Sequence, residues 1–485
     1  MKRAHRTAAI SSPQFPPKGL AAPHETTSLG AFTLASGEHN LAALTEDACD
    51  AALDGNPGPA EPSNYHALRG RLEAARASLP ALYREALFQP FMTALDTLGP
   101  EGFAQVLQQD LRREGTALLL FDVAHAILQN AEGFERIATD AFQEVVSDLY
   151  DGFLGAADRR GVERPDRGVL PPLVKWGNPD FGPYTWPVDA TREVFKLGAA
   201  VVSLPPANAH RGLLAWSALP HEVAGHDILH ADSGLEQELA SAVYARLKQD
   251  NLESLGRYWA DRIDEAASDV LGVLNMGPAA GIGLIGYFRG LNAAWGAGPR
   301  LRAEGPSDDA HPADLLRGYL AAATVQTLQF AKSQEWASFI EEEVEKDRSE
   351  IVLTGRPVRV EAARLSAGLV AEVIVTHPAT ALEGHALGQI QNWSDVDEAR
   401  VAQLSLLVRT GSDLPGTLVE GTYAAHLVAA AVMAGMSPGA RVRQVHMRMV
   451  RLLKQMHDAN PSWGPLFVRH RENTVPHRVY RARRG

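Results

Sequence analysis

The chain has 485 residues, of which 45% are hydrophobic and 21% charged, and its formal net charge is −12. This is the composition of an ordinary soluble globular protein. No run of about 18 apolar residues predicts a membrane span, and the basic start lacks the apolar segment of a secretory signal. Cys49 is the only cysteine, which excludes an internal disulfide and a thiolate zinc cluster. We therefore expect a cytoplasmic protein without a membrane partner, in which any metal ligands are His, Asp or Glu.

The charge is distributed unevenly along the chain. From Arg441 to Gly485 there are eleven Lys and Arg against two acidic residues, a net charge of +9. A basic tail can bind nucleic acid, but no nucleic-acid motif accompanies this one. We expect a solvated end, or an end that packs on the acidic remainder, and no nucleic-acid partner. The oligomeric state stays open.

The spacing of apolar and turn-forming residues predicts a mainly α-helical fold with a small β element and long loops. Apolar residues three and four apart indicate helices, and clusters of Pro and Gly indicate breaks between them. The predicted regions are 1–62, a flexible N-terminal arm and linker; 63–168, a helical domain; 169–300, a core that carries the candidate site; and 301–485, a C-terminal helical region with a small hairpin near 351–360.

Three shorter segments carry their own signals. The Pro-, Gly- and aromatic-rich segment 169–189 predicts a loop, and its aromatic side chains either line a pocket or pin the loop to the core. Ala199–Leu204 predicts a short strand, which could pair with an extended peptide at a sheet edge. Gly281–Gly286 matches G-x-G-x-x-G, but no strand precedes it, so it predicts a helix face of small residues instead of a dinucleotide site.

The segment PHEVAGHDILH, residues 220–230, holds three histidines and two carboxylates in eleven residues. A catalytic zinc site needs three protein ligands, and a carboxylate beside it must accept the proton of the attacking water. His221 and His226 can supply two ligands, and Glu222 can supply the base.

A third ligand is predicted about 40 residues further along the chain. Asp261, Glu265 and Asp269 follow one another at four-residue intervals, which places them on one face of a helix. Like charges in this arrangement need a positive partner, and a metal with its histidines would provide one. Glu265 would then bind the metal, and Asp269 could accept the N–H of a ligating histidine.

These residues resemble a known family. His221–His226 fits the H-E-x-x-G-H signature of the dipeptidyl peptidase III family of zinc peptidases, and Asp264–Asp269 is similar to its second motif, with Asp at the first position; more broadly the pair resembles the gluzincin metallopeptidases. The resemblance covers about a dozen residues. It implies a helical zinc-hydrolase-like core, one Zn²⁺ per chain held by His221, His226 and Glu265, and Glu222 as the base.

The five-residue interval between His221 and His226 predicts a distorted helix. Residues five apart on a regular helix point about 140° apart, whereas residues four apart differ by about 40°. Convergence on one metal therefore needs a wide, π-type turn. Gly225 lies where such a distortion costs least.

Two other interpretations of the same residues stay open. His226 and His230 have the regular helical spacing and could be the ligands, with Asp227 as base. Alternatively, His226–Asp227 could belong to an HD-type metal-dependent phosphohydrolase, with His210 and a downstream Asp as further ligands. A helical metal-binding protein without catalytic activity is the third possibility.

A hydrolase of this class also needs a donor for the oxyanion. Tyr423 and His426 lie one turn apart on an otherwise apolar helix, although such a pair is more often a buried hydrogen bond. His311 precedes a helix, where capping is its ordinary role. The sequence thus predicts zinc-dependent hydrolysis of a peptide or small related amide, with Glu222 activating the water at the metal and Tyr423 and His426 as candidate catalytic residues.

Overall fold

The computed structural model of the chain describes residues 39–154, 162, 165–167, 170–419, 421–460, 463, 467–470 and 473–476. Over these residues the protein is mainly helical and has three small sheets, which confirms the predicted fold class. No helix in this part of the chain is long and apolar enough to cross a membrane. Most of the predicted N-terminal arm, and most of the basic C-terminal end beyond Asn460, lie outside the described residues.

The α-helices account for most of the ordered backbone. Up to the candidate site they are α1 (Leu41–Ala52), α2 (Tyr65–Ala75), α3 (Ala81–Tyr83), α4 (Gln89–Gln109), α5 (Thr116–Glu132), α6 (Arg136–Leu154), α7 (Val188–Phe195), α8 (Leu213–Ser217) and α9 (Ile228–Ala231). The later ones are α10 (Leu235–Gln249), α11 (Glu253–Ala260), α12 (Ile263–Met276), α13 (Pro278–Ala294), α14 (Asp314–Thr327), α15 (Ser333–Glu345), α16 (Val360–Thr376), α17 (Leu387–Ile390), α18 (Asp395–Thr410), α19 (Gly416–Val419), α20 (Ala424–Met436) and α21 (Val442–Asp458). Shorter 3₁₀ and π segments are Arg76–Ser78, Arg84–Phe88, Pro206–Ala209, His221–Asp227 and Thr380–Leu382.

The strands form three separate sheets. They are β1 (Leu173–Trp176), β2 (Tyr184–Trp186), β3 (Val201–Leu204), β4 (Glu304–Gly305), β5 (Ile351–Leu353), β6 (Arg356–Val358), β7 (Phe467–His470) and β8 (Asn473–Pro476). The first sheet has the order β1-β3-β2, the second β4-β5-β6, and β7 pairs with β8. In the hairpin of β5 and β6, Thr354 and Gly355 both have positive φ angles, 50° and 74°, as a two-residue type I′ turn requires. This confirms the hairpin predicted near 351–360.

The first sheet corrects two expectations. The aromatic-rich segment predicted to be a loop contains β1, whose four residues are all buried, and β2, whose three residues are partly buried. The strand predicted at Ala199–Leu204 is β3, which pairs in parallel with β1 and antiparallel with β2. Strand β3 is therefore paired on both sides and cannot accept a peptide by edge pairing. On the β2 side, the edge strand of the sheet is β2.

Two apolar cores lie on either side of this sheet. Leu173 and Val201 belong to the smaller core, with α2, α4 and α5, while their neighbours Val174 and Val202 belong to the larger core. This follows from the alternation of side chains along a strand. Helix α6 contributes to the larger core, so the boundary predicted at residue 168 does not coincide with the division between the cores.

The predicted flexible arm ends earlier than expected. Residues 41–52 form α1, whose buried side chains recur at three- and four-residue intervals from Leu41 to Ala51 and belong to the larger core. The segment therefore buries apolar surface that an exposed arm would leave in water. The prediction of a loose segment through residue 62 is wrong for this helix.

Helix α13 carries the G-x-G-x-x-G match and has the predicted face of small residues. A Cβ at Gly283 would lie 1.9 Å from Ser217 Oγ, and one at Gly286 would lie 2.5 Å from a methyl of Leu214. At Gly290 it would lie 2.7 Å from the Cβ of Ala48 on α1. The glycines thus let α1 and α8 approach α13 closely, and this packing fixes the chain just before the candidate site.

Candidate metal centre

The His-rich segment forms the predicted wide turn. Residues His221–Asp227 are a π-helix, preceded by Pro220 and continued by α9. The extra residue in the turn brings the two imidazoles together, with their ring centroids 4.7 Å apart. The prediction of a π-type distortion is confirmed.

Gly225 is required for a reason that the sequence did not reveal. A Cβ at this position would lie 2.4 Å from the Cβ and 2.6 Å from the Cα of Ser268 on α12. The π-helix and α12 therefore meet backbone to backbone at this point. This close approach, rather than the torsional freedom of glycine, sets the distance between the two helices that carry the site.

Helix α12 supplies the carboxylates. One ligand atom from each of His221, His226 and Glu265 lies within 4.8 Å of the others. His226 Nε2 is 3.1 Å from His221 Nε2. The carboxylate oxygens of Glu265 lie 3.4 Å from His221 Nε2 and 3.5 Å from His226 Nε2. The three residues predicted as metal ligands are thus brought together.

Each of these histidines has a second carboxylate at its other ring nitrogen. Asp269 Oδ1 lies 2.9 Å from His221 Nδ1, in the position predicted for it. Asp264 Oδ2 lies 3.0 Å from His226 Nδ1. Such contacts hold the proton on Nδ1 and turn Nε2 towards a common point.

The role of Asp264 was missed, although it occupies the first position of the second motif. The four-residue spacing instead groups Asp261 with Glu265 and Asp269. That grouping is wrong for Asp261, because α11 ends at Ala260 and α12 begins only at Ile263. Asp261 lies exposed in the turn between them.

The positive partner expected for these acids includes an arginine that the sequence did not single out. The Arg317 guanidinium donates to both oxygens of Asp269, at 2.7 and 2.8 Å. It also lies 3.3 Å from Glu265 Oε2 and is stacked over the Phe288 ring. Arg317 is on α14, 48 residues beyond Asp269, so no local pattern links the two.

The electrostatics of the cluster favour a cation between the rings. Burial opposes charge on His221, but its hydrogen bonds to Asp269 and Glu265 outweigh this and raise its pKa to about 10. Burial also opposes the ionisation of Glu265, yet Arg317 and the histidines hold the pKa of this carboxyl well below its usual range. The same negative groups that stabilise a proton here would stabilise a metal ion.

The residues present fit a zinc ion. Two histidines and one glutamate are a donor set of catalytic zinc sites. Oε2 of Glu265 is buried and faces His221 Nε2 at 3.4 Å, so a cation between the rings would lie against it. Because both Nδ1 atoms are engaged by carboxylates, the Nε2 atoms are left for the metal.

Glu222 lies beside this cluster and faces the same cavity. Its side chain is buried, at 6% exposure, and Oε2 accepts a hydrogen bond of 2.7 Å from the Thr185 hydroxyl. Thr185 is on β2, so the sheet fixes the orientation of the carboxylate. One carboxylate oxygen is thus anchored while the residue remains at the cavity surface.

The other interpretations of the motif are not favoured by the geometry. His230 Nδ1 lies 2.8 Å from Asp189 and its Nε2 lies 3.4 Å from Asp264, away from the cavity. Asp227 is fully buried, and its Oδ1 accepts from the backbone N–H of Val188. Asp227 does not line the cavity, so it is not placed to act as a base for water there. His210 lies at the surface beside Glu135.

Tyr423 and His426 are not part of this site. Both are buried, and neither lines the cavity. His426 Nδ1 accepts from the Tyr423 backbone N–H at 3.0 Å, and its Nε2 lies 2.8 Å from Asp397. They fix the start of α20 instead, so the prediction that they stabilise the oxyanion is wrong. The simpler interpretation of a buried hydrogen bond is the correct one.

Two further polar side chains, His311 and Tyr287, line the same cavity. His311 Nε2 lies 3.3 Å from Glu265 Oε1, and its Nδ1 lies 2.9 Å from Asp309. Tyr287 lines the cavity close enough to Glu222 for that charge, after burial, to raise the pKa of the phenol. No sequence pattern marks Tyr287, and the position of His311 before a helix predicts only a capping role.

The site opens into a cavity of about 880 Å³. The π-helix and α12 form its polar end, and α13, α14 and the segment around β2 complete its walls. Of the four aromatic side chains considered in that segment, Phe181, Tyr184 and Trp186 line the cavity, whereas Trp176 is buried in the core.

Comparison of the chain with protein-family models, with curated proteins and with solved structures found no match.

Proposed function

We propose that the protein is a zinc-dependent hydrolase that cleaves the amide bond of a peptide or a related small amide. The observation that carries this proposal is the convergence of His221, His226 and Glu265 beside the buried carboxylate of Glu222, at the end of a cavity. The resemblance of the two motifs to dipeptidyl peptidase III and the gluzincins supports the same class of reaction.

His221, His226 and Glu265 would hold the zinc ion. When bound, zinc supplies Lewis-acid chemistry, lowering the pKa of water and polarising a carbonyl oxygen. Asp269 and Asp264 hold the Nδ1 protons of the two rings. Arg317 in turn fixes Asp269 through two hydrogen bonds, so the orientation of His221 is set by a chain of contacts that reaches α14.

Glu222 is the proposed general base. It accepts a proton from the water that attacks the carbonyl carbon and then returns it to the leaving nitrogen. The hydroxyl of Thr185 occupies Oε2, so the free lone pairs of Oε1 are those available to the water. A carboxylate anchored in this way loses little freedom when it takes up the proton.

His311 is the best placed donor for the oxyanion. Asp309 accepts from its Nδ1–H, so Nε2, which lies beside Glu265, donates towards the cavity in the imidazolium form of the ring. Tyr287, on α13, offers a phenol that burial and Glu222 keep protonated. Both groups reach the site from outside the two motifs.

The charge of the cavity favours an amide over a phosphate ester. Seven carboxylates line it, against two arginines. Arg317 is paired with Asp269, and Arg302 with Asp309 and Asp314. A substrate with one or two negative charges would meet an unfavourable potential there, which makes the HD-type phosphohydrolase the weaker candidate.

Metal content and turnover test the proposal together. We expect about one zinc per chain in the purified protein and in the variant Glu222→Gln, and none in His226→Ala or Glu265→Ala. Glu222→Gln should lower cleavage of a peptide library by about 10²–10⁴-fold, the usual contribution of a general base. His210→Ala, at the surface, is the matched control and should keep both zinc and activity. Wild-type turnover in Glu222→Gln would contradict the assigned base.

Zinc retained in Glu265→Ala but lost with His230→Ala would transfer the site to the other pair of histidines. Pairs of iron or manganese ions instead of zinc would favour the phosphohydrolase. A protein that binds zinc but cleaves no amide would have the site without the proposed reaction.

A further inference from the structure

One wall of the cavity is apolar and takes no part in the chemistry proposed above. Helix α13 presents Leu284, Phe288 and Leu291 to the cavity, at intervals of four and three residues that place them on one helix face. All three are only partly buried. A row of large apolar side chains that stays partly open beside a polar site indicates a surface for an apolar part of the substrate.

The apolar surface continues to the mouth of the cavity. Trp295, at the end of α13, is 68% exposed, and Phe181, ahead of β2, is 40% exposed. Isolated exposed apolar residues are common, but these two flank the opening of one cavity. They extend the apolar wall outwards from the metal centre.

The size of the cavity limits the substrate to a short one. Its volume of about 880 Å³ lies within the range of roughly 300–1,000 Å³ typical of small-molecule sites. A few amino-acid residues fill such a space, whereas a folded protein chain does not enter it.

The charges around the polar end of the cavity determine which polar group the substrate can carry next to its apolar group. The seven carboxylates are opposed by two arginines that are both already paired. A free carboxylate next to the apolar group would be repelled, whereas a neutral amide or an amine would be accepted. The strand β2, at the edge of its sheet and along the cavity, offers an extended backbone against which a peptide backbone fits better than a plain acyl chain.

We infer, on the basis of the hydrolase proposed above, that the substrate is a short neutral or cationic peptide with a large aromatic or aliphatic side chain next to the scissile amide. That side chain packs against Leu284, Phe288 and Leu291. The metal centre determines the reaction, and the apolar wall of α13 determines which substrate side chain is preferred next to the scissile amide.

The test measures binding separately from cleavage. The probes are N-acetyl-glycyl-X-amides with X as Gly, Ala, Leu or Phe, with octanoyl-glycinamide as the acyl probe. Their affinities for the Glu222→Gln protein are measured by calorimetry, and their cleavage by the wild type is measured in parallel. We expect affinity to rise by at least about tenfold from Gly to Phe, because each buried methylene in an apolar pocket contributes severalfold.

Two variants locate the effect. Leu284→Trp fills the cavity from α13 and should reduce the Gly-to-Phe ratio to about threefold or less, while zinc content is unchanged. Trp295→Ala, at an exposed position that the fold does not need, should reduce the ratio partially. Leu365→Trp is the matched control, since Leu365 is 54% exposed on α16 and does not line the cavity.

Equal affinities for all four peptides would overturn the inference, whether or not the wild type cleaves them. Tighter binding of octanoyl-glycinamide than of every peptide would overturn the assignment to an amino-acid side chain. A binding ratio that depends on Leu284 without cleavage of any probe would instead contradict the proposed hydrolysis and leave the apolar wall as a binding surface.

Discussion

Two buried histidine–carboxylate pairs in this protein are built alike and serve different ends. His221 lies 2.9 Å from Asp269, and His426 lies 2.8 Å from Asp397. In both pairs the aspartate is almost fully buried. Sequence reasoning assigned both histidines to the catalytic site, but only His221 lines the cavity.

The second ring nitrogen distinguishes His221 from His426. His426 Nδ1 accepts the N–H of Tyr423, so both of its nitrogens are used within the fold. His221 Nε2 instead faces His226 and Glu265. A histidine paired with a carboxylate is therefore a candidate ligand only when its other nitrogen points to a space shared with further donors.

Removing His226, the ring that His221 Nε2 faces, and removing His426 should have different consequences. His226→Ala should abolish zinc binding and leave the fold intact, because the ring borders a cavity. His426→Ala should keep zinc but lower the free energy of unfolding by about 3 kcal/mol, since Asp397 loses a buried partner. Elemental analysis and urea unfolding of both variants provide the measurement. Loss of zinc from both would mean that the two pairs are coupled.

Removing the metal should affect only one pair. Zinc that binds the folded chain stabilises it by about 2.7 kcal/mol when its free concentration is 100 times the dissociation constant. We expect this increase in the wild type and in His426→Ala, but not in His226→Ala. Thermal unfolding with chelator and with buffered zinc measures the difference, and an equal shift in His226→Ala would place the metal elsewhere.

The two aspartates provide a finer comparison. Asp269→Asn keeps the shape but weakens the partner of His221, so zinc affinity should fall by about 10–100-fold. Asp397→Asn should leave zinc affinity within about threefold of the wild type, because Asp397 contacts His426 and the start of α18 and does not line the cavity. Competition with a zinc-binding dye measures both. Similar losses in the two variants would contradict the proposed geometry.

The close contact of the metal-site helices can be tested at Gly225. Gly225→Ala places a methyl 2.4 Å from the Cβ of Ser268, so we expect a loss of about 1–3 kcal/mol of stability from overpacking, together with weaker zinc binding. Gly368→Ala on α16 is the control, because a Cβ there meets nothing within 4 Å, and it should be neutral or slightly stabilising. Normal stability of Gly225→Ala would show that the helices can separate freely.

The smallest effect is expected at His230. Its contacts with Asp189 and Asp264 place it behind the site, so His230→Gln should change zinc affinity by less than about threefold. The same dye competition measures it. A loss as large as that of His226→Ala would restore the alternative pair of ligands.

The sequence was most informative where the chemistry is local. The ligand set, Glu222 and the π-type turn between His221 and His226 could all be proposed from two short motifs, since spacing along a helix fixes direction. The same helical spacing predicts that Asp269 accepts the N–H of a ligating histidine. The grouping failed at Asp261 because periodicity continues only while the helix does, and α11 ends before it.

Contacts between distant parts of the chain could not be proposed in this way. Tyr287 reaches the site from α13, Arg317 from α14, and His311 from the loop before α14. Thr185 reaches Glu222 from β2. None of them has a neighbour in sequence that marks its role. The same limitation led to the wrong assignment of Tyr423 and His426, whose polar character in an apolar helix reflects a buried hydrogen bond.

The sequence by itself determined the mainly helical fold, the candidate ligands and the need for a positive partner beside the acids of α12. These follow from periodicity, residue chemistry and the cost of like charges. Only the tertiary structure decided which polar residues face the cavity, which aspartate orients which histidine, and that the cavity has an apolar wall on α13. Those outcomes depend on how close the helices approach, and Gly225 and the glycines of α13 set that distance through contacts with residues far away in the chain.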